Sequence, residues 1–194
     1  MNYLAHAYLS FNQPEILVGN LISDFVKGKK KFTFSPGIQK GISLHREIDN
    51  FTDTHAVTRT AKEVFRPHYR LYAGAFVDVV YDHFLAIDKN EFATGGLLQF
   101  SETTYDLVAP FVEGLPEKFQ KMFPYMRQQN WLYNYQYNWG IERSLAGVVR
   151  RSAYLSESDT AFLLFETHYQ HLQACYDSFF PGLKNFVMAQ LPIL

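Results

Sequence analysis

The chain has 194 residues, 47 % of them hydrophobic and 17 % aromatic, with 18 basic residues against 19 acidic ones. That content excludes a disordered chain or a coiled coil and is enough to bury a continuous core, so one domain over 1–194 is expected. The balanced charge excludes the overall basic footprint of a nucleic-acid binder.

Cys175 is the only cysteine, which rules out an intramolecular disulfide and a cysteine zinc cluster and fits a reducing compartment. The opening stretch "MNYLAHAYLSF" lacks the features of a secretory signal, and no apolar run approaches the ~20 residues needed to cross a bilayer. The expectation is a cytoplasmic protein with no membrane partner.

Apolar residues recur at helical spacing almost throughout, which predicts an all-α bundle of about seven to nine helices. Pro14, behind Asn12, opens a helix whose face carries Leu17, Leu21, Ile22 and Phe25. Ser35 in "SPGI" caps the next, which contains Ile38, Ile42, Ile48 and Phe51. A helix from Ala56 to Phe65 is closed by Pro67. The most apolar helix, His68 to Ile87, belongs at the centre, and "DKNEF" and "TGG" end it. Helices over 101–112, 117–130 and 137–151 follow, then a long one over 157–179 ended by Pro181-Gly182. No repeat or linker divides the chain.

Polar residues interrupt these faces where a core has no use for them. In "SLHREIDNFTD", His45, Asp49 and Asp53 are four apart and share one helical stripe. In "FVDVVYDHFLA", Asp78 and Asp82 are four apart and His83 follows; in "GNLISDF", Asn20 and Asp24 repeat the spacing; His6 sits in "LAHAYL". Buried carboxylates need an arginine, a hydrogen-bond network or a metal ion to offset their desolvation. A mixture of carboxylate and imidazole suits a divalent metal, and oxygen-rich sets suit Mn2+ or Mg2+. The ordinary alternatives are an Asp49–Arg46 pair at i, i+3 and Asp53 as a helix cap. Di-iron Glu-x-x-His pairs, a P-loop, GxGxxG and G-x-S-x-G are all missing. His168 and His171, three apart on a polar helix, read as a solvated face.

The motifs "MNYLAHAYLS", "GNLISDFVKG", "GISLHREIDNFTD" and "VDVVYDHFLA", in this order, resemble the acyl carrier protein phosphodiesterase family. The resemblance continues more weakly through "NWLYNY" and "SLAGVVRR" to "FFPGL". It implies a hydrolase that releases 4'-phosphopantetheine from holo acyl carrier protein with Mn2+, or Mg2+ in its place. It also implies distant kinship with the all-helical HD phosphohydrolases, although this chain reads Asp82-His83 where those read His-Asp.

By position in these motifs the resemblance implies Asp24, His45, Asp82 and His83 as metal ligands, with His6 and Asp78 as further members. Arg46 is expected on the phosphate, with Arg150 or Arg151 as second choice, because guanidinium grips phosphate oxygens in a fork. Asp49 or Asp78 is expected as general base or ligand-orienting group, with Asp53 as an outer support. Asn20 is expected to touch substrate, and Lys29, Lys30 and Lys31 to dock the acidic carrier protein. Two other readings stay open: a phosphohydrolase for a nucleotide or other small phosphate ester, and a non-catalytic binding protein presenting "NWLYNYQYNW". The sequence does not give the oligomeric state.

Overall fold

The computed structural model describes residues 1–191 and is all-α, with eleven α-helices and no strand among the described residues. The helices are α1 (Tyr3–Tyr8), α2 (Pro14–Ile22), α3 (Pro36–Thr54), α4 (Ala56–Tyr69), α5 (Ala73–Ile87) and α6 (Gly96–Val108). They continue with α7 (Glu117–Gln128), α8 (Trp131–Asn134), α9 (Asn138–Arg151), α10 (Asp159–Thr167) and α11 (Tyr169–Gln190). None of these helices is long and apolar enough to cross a membrane.

α5 is the central rod: Phe76, Val77, Val79, Val80, Tyr81, Phe84 and Leu85 are all buried. It packs against α1, α4, α9 and α11. α11 covers it with aromatic rings, Tyr81 against Phe179 at 5.1 Å and Phe84 against Tyr176 at 5.9 Å between centroids.

The most extensive helix pairing joins α2 to α3. α2 starts with Pro14 in its first turn, and α3 starts with the Ser35 hydroxyl accepting from Ile38 N at 3.5 Å, followed by Pro36. The two helices cross glycine on glycine. A Cβ on Gly19 would lie 2.1 Å from Ile38 O, and one on Gly41 would lie 2.2 Å from Ile16 O. Both obstacles are backbone, so any side chain pushes the helices apart. Gly41→Ala is therefore expected to cost about 1–3 kcal/mol, the range for overpacked cores. A calorimetric melting temperature within one degree of wild type would contradict this contact.

Two boundaries differ from the sequence expectation, and both involve proline. α4 passes through Pro67 to Tyr69, so the central helix begins at Ala73; Arg70, with φ +47°, makes the break instead. α11 passes through Pro181 and ends at Gln190, while the chain bends at His168 and separates α10 from α11. An interior proline costs ~3 kcal/mol, but Leu183 and Val187 beyond it are fully buried, each contributing ~1.5–3 kcal/mol. Burial outweighs propensity here. The short helices α1 and α8 add to the expected count.

Candidate metal centre

The α2–α3 crossing fixes Asn20 against His45, and α1 lays His6 over both. The two imidazoles stack with centroids 3.9 Å apart and planes 12° apart. His45 Nδ1 lies 2.7 Å from the Asn20 carbonyl, which only accepts, so Nδ1–H donates. The wholly buried Asn20 side chain donates from Nδ2 to His6 O at 2.8 Å and to Ser10 Oγ at 3.1 Å. Its Oδ1 therefore faces His6 Nδ1 at 2.8 Å, and that nitrogen too must carry the proton. One residue thus fixes the tautomer of both histidines, and both Nε2 atoms are left for something else.

What they face is negative. Asp49, one helical turn after His45, places Oδ2 3.1 Å from His45 Nε2 and Oδ1 3.3 Å from His6 Nε2. Asp24, in the 3-10 turn Ser23–Phe25 that continues α2, places Oδ1 3.4 Å from His45 Nε2. The Met1 carbonyl stands 3.2 Å from His6 Nε2. His6, His45 and Asp49 each offer a ligand atom, and these atoms lie within 4.8 Å of one another. A neutral His6 points a lone pair at two oxygens, an arrangement that a shared cation relieves. The donor set therefore fits a divalent metal. The Asp24 side chain is 77 % exposed, so the centre opens to solvent on that side.

Protonation agrees with this geometry. Burial, then the neighbouring His45 charge, lower His6 to about 4. Burial also works against a charged His45, but hydrogen bonds to Asp24 and Asp49 outweigh it and raise the ring to about 9. Burial works against a charged Asp49, yet the bond from His45 and the nearby Met1 amino charge hold it well below the usual carboxylate range, and Asp24 is lowered by His45. A raised imidazole stabilises the fold fully below its ordinary value of 6.5, and the contribution is lost as pH rises through about 9. The metal-free protein should therefore melt at progressively lower temperature between pH 7 and pH 9.5, and a saturating divalent ion, taking the proton's place, should remove that fall. Calorimetry with chelator and with added ion checks this; equal slopes would contradict it.

The other expected site residues lie elsewhere or do other work. Asp82 is wholly buried and accepts from the backbone N–H groups of Asn2, Leu4 and Ala5 at 3.2, 2.7 and 3.3 Å. It caps the first turn of α1 from a distant helix, and burial pushes its carboxyl up to about 7. His83 faces away: its Nδ1–H donates to Tyr135 O at 2.7 Å, and the Tyr169 hydroxyl donates to Nε2 at 3.0 Å. The structure does not bring either one to His45. Asp78 accepts from the Met1 amino group at 2.9 Å, and that same amino group lies 3.6 Å from Asp49.

Arg46 is exposed, about 100° around α3 from His45, and lines none of the cavities beside the centre. Asp53 accepts from Lys62 at 2.7 Å and does not reach His45. Lys31 donates to Ser43 at 3.1 Å, and Lys29 and Arg150 are exposed. Asn20 is too deeply buried to touch substrate, and the orienting role found for it carries no signal in the spacing.

A family model for acyl carrier protein phosphodiesterases matches residues 1–183. The chain is 34 % identical to the acyl carrier protein phosphodiesterase of Photorhabdus laumondii, covering 95 % of this chain and 94 % of that one. It is 33 % identical to the same protein of Yersinia enterocolitica and 32 % to that of Klebsiella pneumoniae, over 95 % of this chain and 96 % of each relative. The chain belongs to the acyl carrier protein phosphodiesterase family. No solved structure matches it.

In this member of the family two cavities adjoin the centre. One, about 260 Å³, is lined by Met1, Asp24, Asp78 and Arg151 among others. The other, about 620 Å³, is lined by Asp24, Lys27, Lys30, Lys118 and Arg151. Arg151 stands on the wall of both, where Arg46 was expected.

Proposed function

We propose that this chain is a metal-dependent hydrolase of the phosphodiester that joins 4'-phosphopantetheine to the serine of holo acyl carrier protein, giving the apo protein. The observation that carries the reading is the convergence of two histidine Nε2 atoms, each with its Nδ1 proton committed, on the Asp49 carboxylate. In this reading His6, His45, Asp49 and Asp24 hold the ion, Mn2+ or Mg2+. When bound, such an ion lowers the pKa of a water and offsets charge on the phosphoryl oxygens.

The chain's own groups do the rest. Arg151 binds non-bridging phosphate oxygens from the wall shared by the two cavities. Asp78, whose carboxyl burial pushes up, lines the smaller cavity with Asp24 and accepts the proton of the attacking water. Asn20 keeps both imidazoles in the tautomer that leaves Nε2 free. Kinship with the HD phosphohydrolases and a cytoplasmic setting, supported by the single buried Cys175, belong to the same proposal.

Lys27, Lys30 and Lys118 receive the acidic carrier protein beside Asp24. Replacing all three with Ala should raise KM for holo carrier protein tenfold or more, about 1.4 kcal/mol, and flatten its salt dependence while kcat holds. An unchanged KM would remove this surface from the account.

The function is tested by incubating the purified chain and Mn2+ with holo carrier protein, and separately with a nucleotide panel. Release of 4'-phosphopantetheine that stops with chelator is expected. Hydrolysis of a nucleotide with the carrier protein left intact would overturn the reading.

A further inference from the structure

A third cavity, of about 380 Å³, opens between α8, α9 and the start of α1, and it meets the other two at Asn2 and Arg151. The metal centre uses none of it. Trp131, Tyr135 and Trp139 form aromatic walls, Gln129, Asn134 and Ser144 add amide and hydroxyl groups, and no carboxylate lines it. Its volume is within the ~300–1,000 Å³ of small-molecule sites, with the mixture of apolar wall and few polar groups such sites have.

Several features keep this space open. Gly140 packs so closely on α8 that a Cβ would lie 1.9 Å from Asn134 O, which fixes the corner between the two helices. Gly147 faces two guanidinium groups; a Cβ there would lie 3.3 Å from Arg151 Nη1 and 3.6 Å from Arg150 Nη2. His83 holds the Tyr135 carbonyl from behind. The Trp131 indole N–H donates to Gln129 Oε1 at 3.0 Å, and Asn134 Nδ2 donates to Gln129 O at 2.6 Å. These bonds leave Gln129 Nε2 as a donor and Asn134 Oδ1 as an acceptor for a ligand.

We infer that this cavity seats the phosphopantetheine arm of the substrate, with Arg151 at its mouth on the phosphate. The inference rests on the proposed function. A phosphodiester has two ester branches that leave phosphorus in different directions. The branch toward the carrier protein suits the lysine-lined cavity. The other branch is an uncharged chain of two amides with a dimethyl-substituted carbon, and it suits an amide donor, an amide acceptor and aromatic walls with no fixed negative charge. Arg150 and Arg143 stand along the same wall, and the Arg143 guanidinium lies 5.2 Å from the Trp139 ring centroid. An arm carried by coenzyme A in place of the carrier protein has the same chemistry up to its phosphate, so the probe includes a nucleotide control.

Trp131 and Trp139 are the chain's two tryptophans and both line the cavity, so intrinsic fluorescence reads occupancy without metal or turnover. The experiment titrates free 4'-phosphopantetheine, and separately ADP, into wild type, Ser144→Phe and Gly147→Leu, after circular dichroism and Mn2+ titration of each. A saturable change with 4'-phosphopantetheine is expected, at least tenfold weaker in both filled-cavity variants, with KM for holo carrier protein rising in parallel. Equal affinity in the variants, or a response to ADP and none to 4'-phosphopantetheine, would overturn the assignment. A wild type that releases nothing from holo carrier protein refutes the proposed function; a wild type that turns over while the variants bind the arm normally refutes only this cavity.

Discussion

Asp49→Asn is expected to lower kcat for phosphopantetheine release by about 10²–10³, the loss found when one preorganised charge-stabilising group is removed. It should also weaken divalent-ion affinity by at least about 100-fold, since a lost ligand costs more than the ~10–100-fold of a lost partner that merely supports one. Asp49 is singular because it alone touches both Nε2 atoms, at 3.1 and 3.3 Å. Asn keeps the shape and one acceptor, but it removes the charge that a cation between two imidazoles requires. The same change lowers the His45 pKa, since the Asp49 charge that helps to raise it is gone. Calorimetric ion titration and steady-state kinetics on the variant measure both effects. Wild-type ion affinity in Asp49→Asn would remove this carboxylate from the centre.

Asp82→Ala should act on stability. Three backbone N–H groups at the start of α1 lose their acceptor in a fully buried setting. A lost cap costs about 1 kcal/mol, and hydrogen bonds to a charged group contribute about 1.5–3 kcal/mol, so a total of about 2–4 kcal/mol is expected. At ~2–4 °C per kcal/mol for a chain of this size, the melting temperature should fall by about 5–15 °C. Ion affinity measured well below the transition should change less than tenfold, because Asp82 supports α1 and His6 only through the backbone. A collapse of ion affinity with an unchanged melting temperature would reverse the assignment and restore Asp82 as a ligand.

These two residues show what the sequence could carry. The spacing of His45 and Asp49 is a local fact of one helix, and a shared stripe follows from 3.6 residues per turn. The pairing of His45 with His6 and Asn20 depends on the Gly19–Gly41 crossing, which no periodicity announces. Asp82 and His83 stood out because charged groups in an apolar helix need partners. That physical argument was sound, yet the partners are the backbone of α1 and the pair Tyr135 and Tyr169. Burial demands satisfaction, and a metal is only one way to supply it. The all-α class was legible from the repeat of apolar residues along almost the whole chain. The helices running through Pro67 and Pro181 were not, because local propensity gives way where residues beyond the proline enter the core. Arg151 could not be ranked above Arg46 from sequence, since its place on one cavity wall with Asp24 is made by the packing of α9 against α5.

The ligand set can be read directly by pulsed electron paramagnetic resonance on the Mn2+-loaded protein, which detects imidazole nitrogens near the ion. Modulation from two histidines is expected in wild type, reduced to one in His6→Gln and in His45→Gln and unaltered in His83→Gln. Modulation that survives in His45→Gln and is lost in His83→Gln would contradict the centre built here on His6, His45 and Asp49.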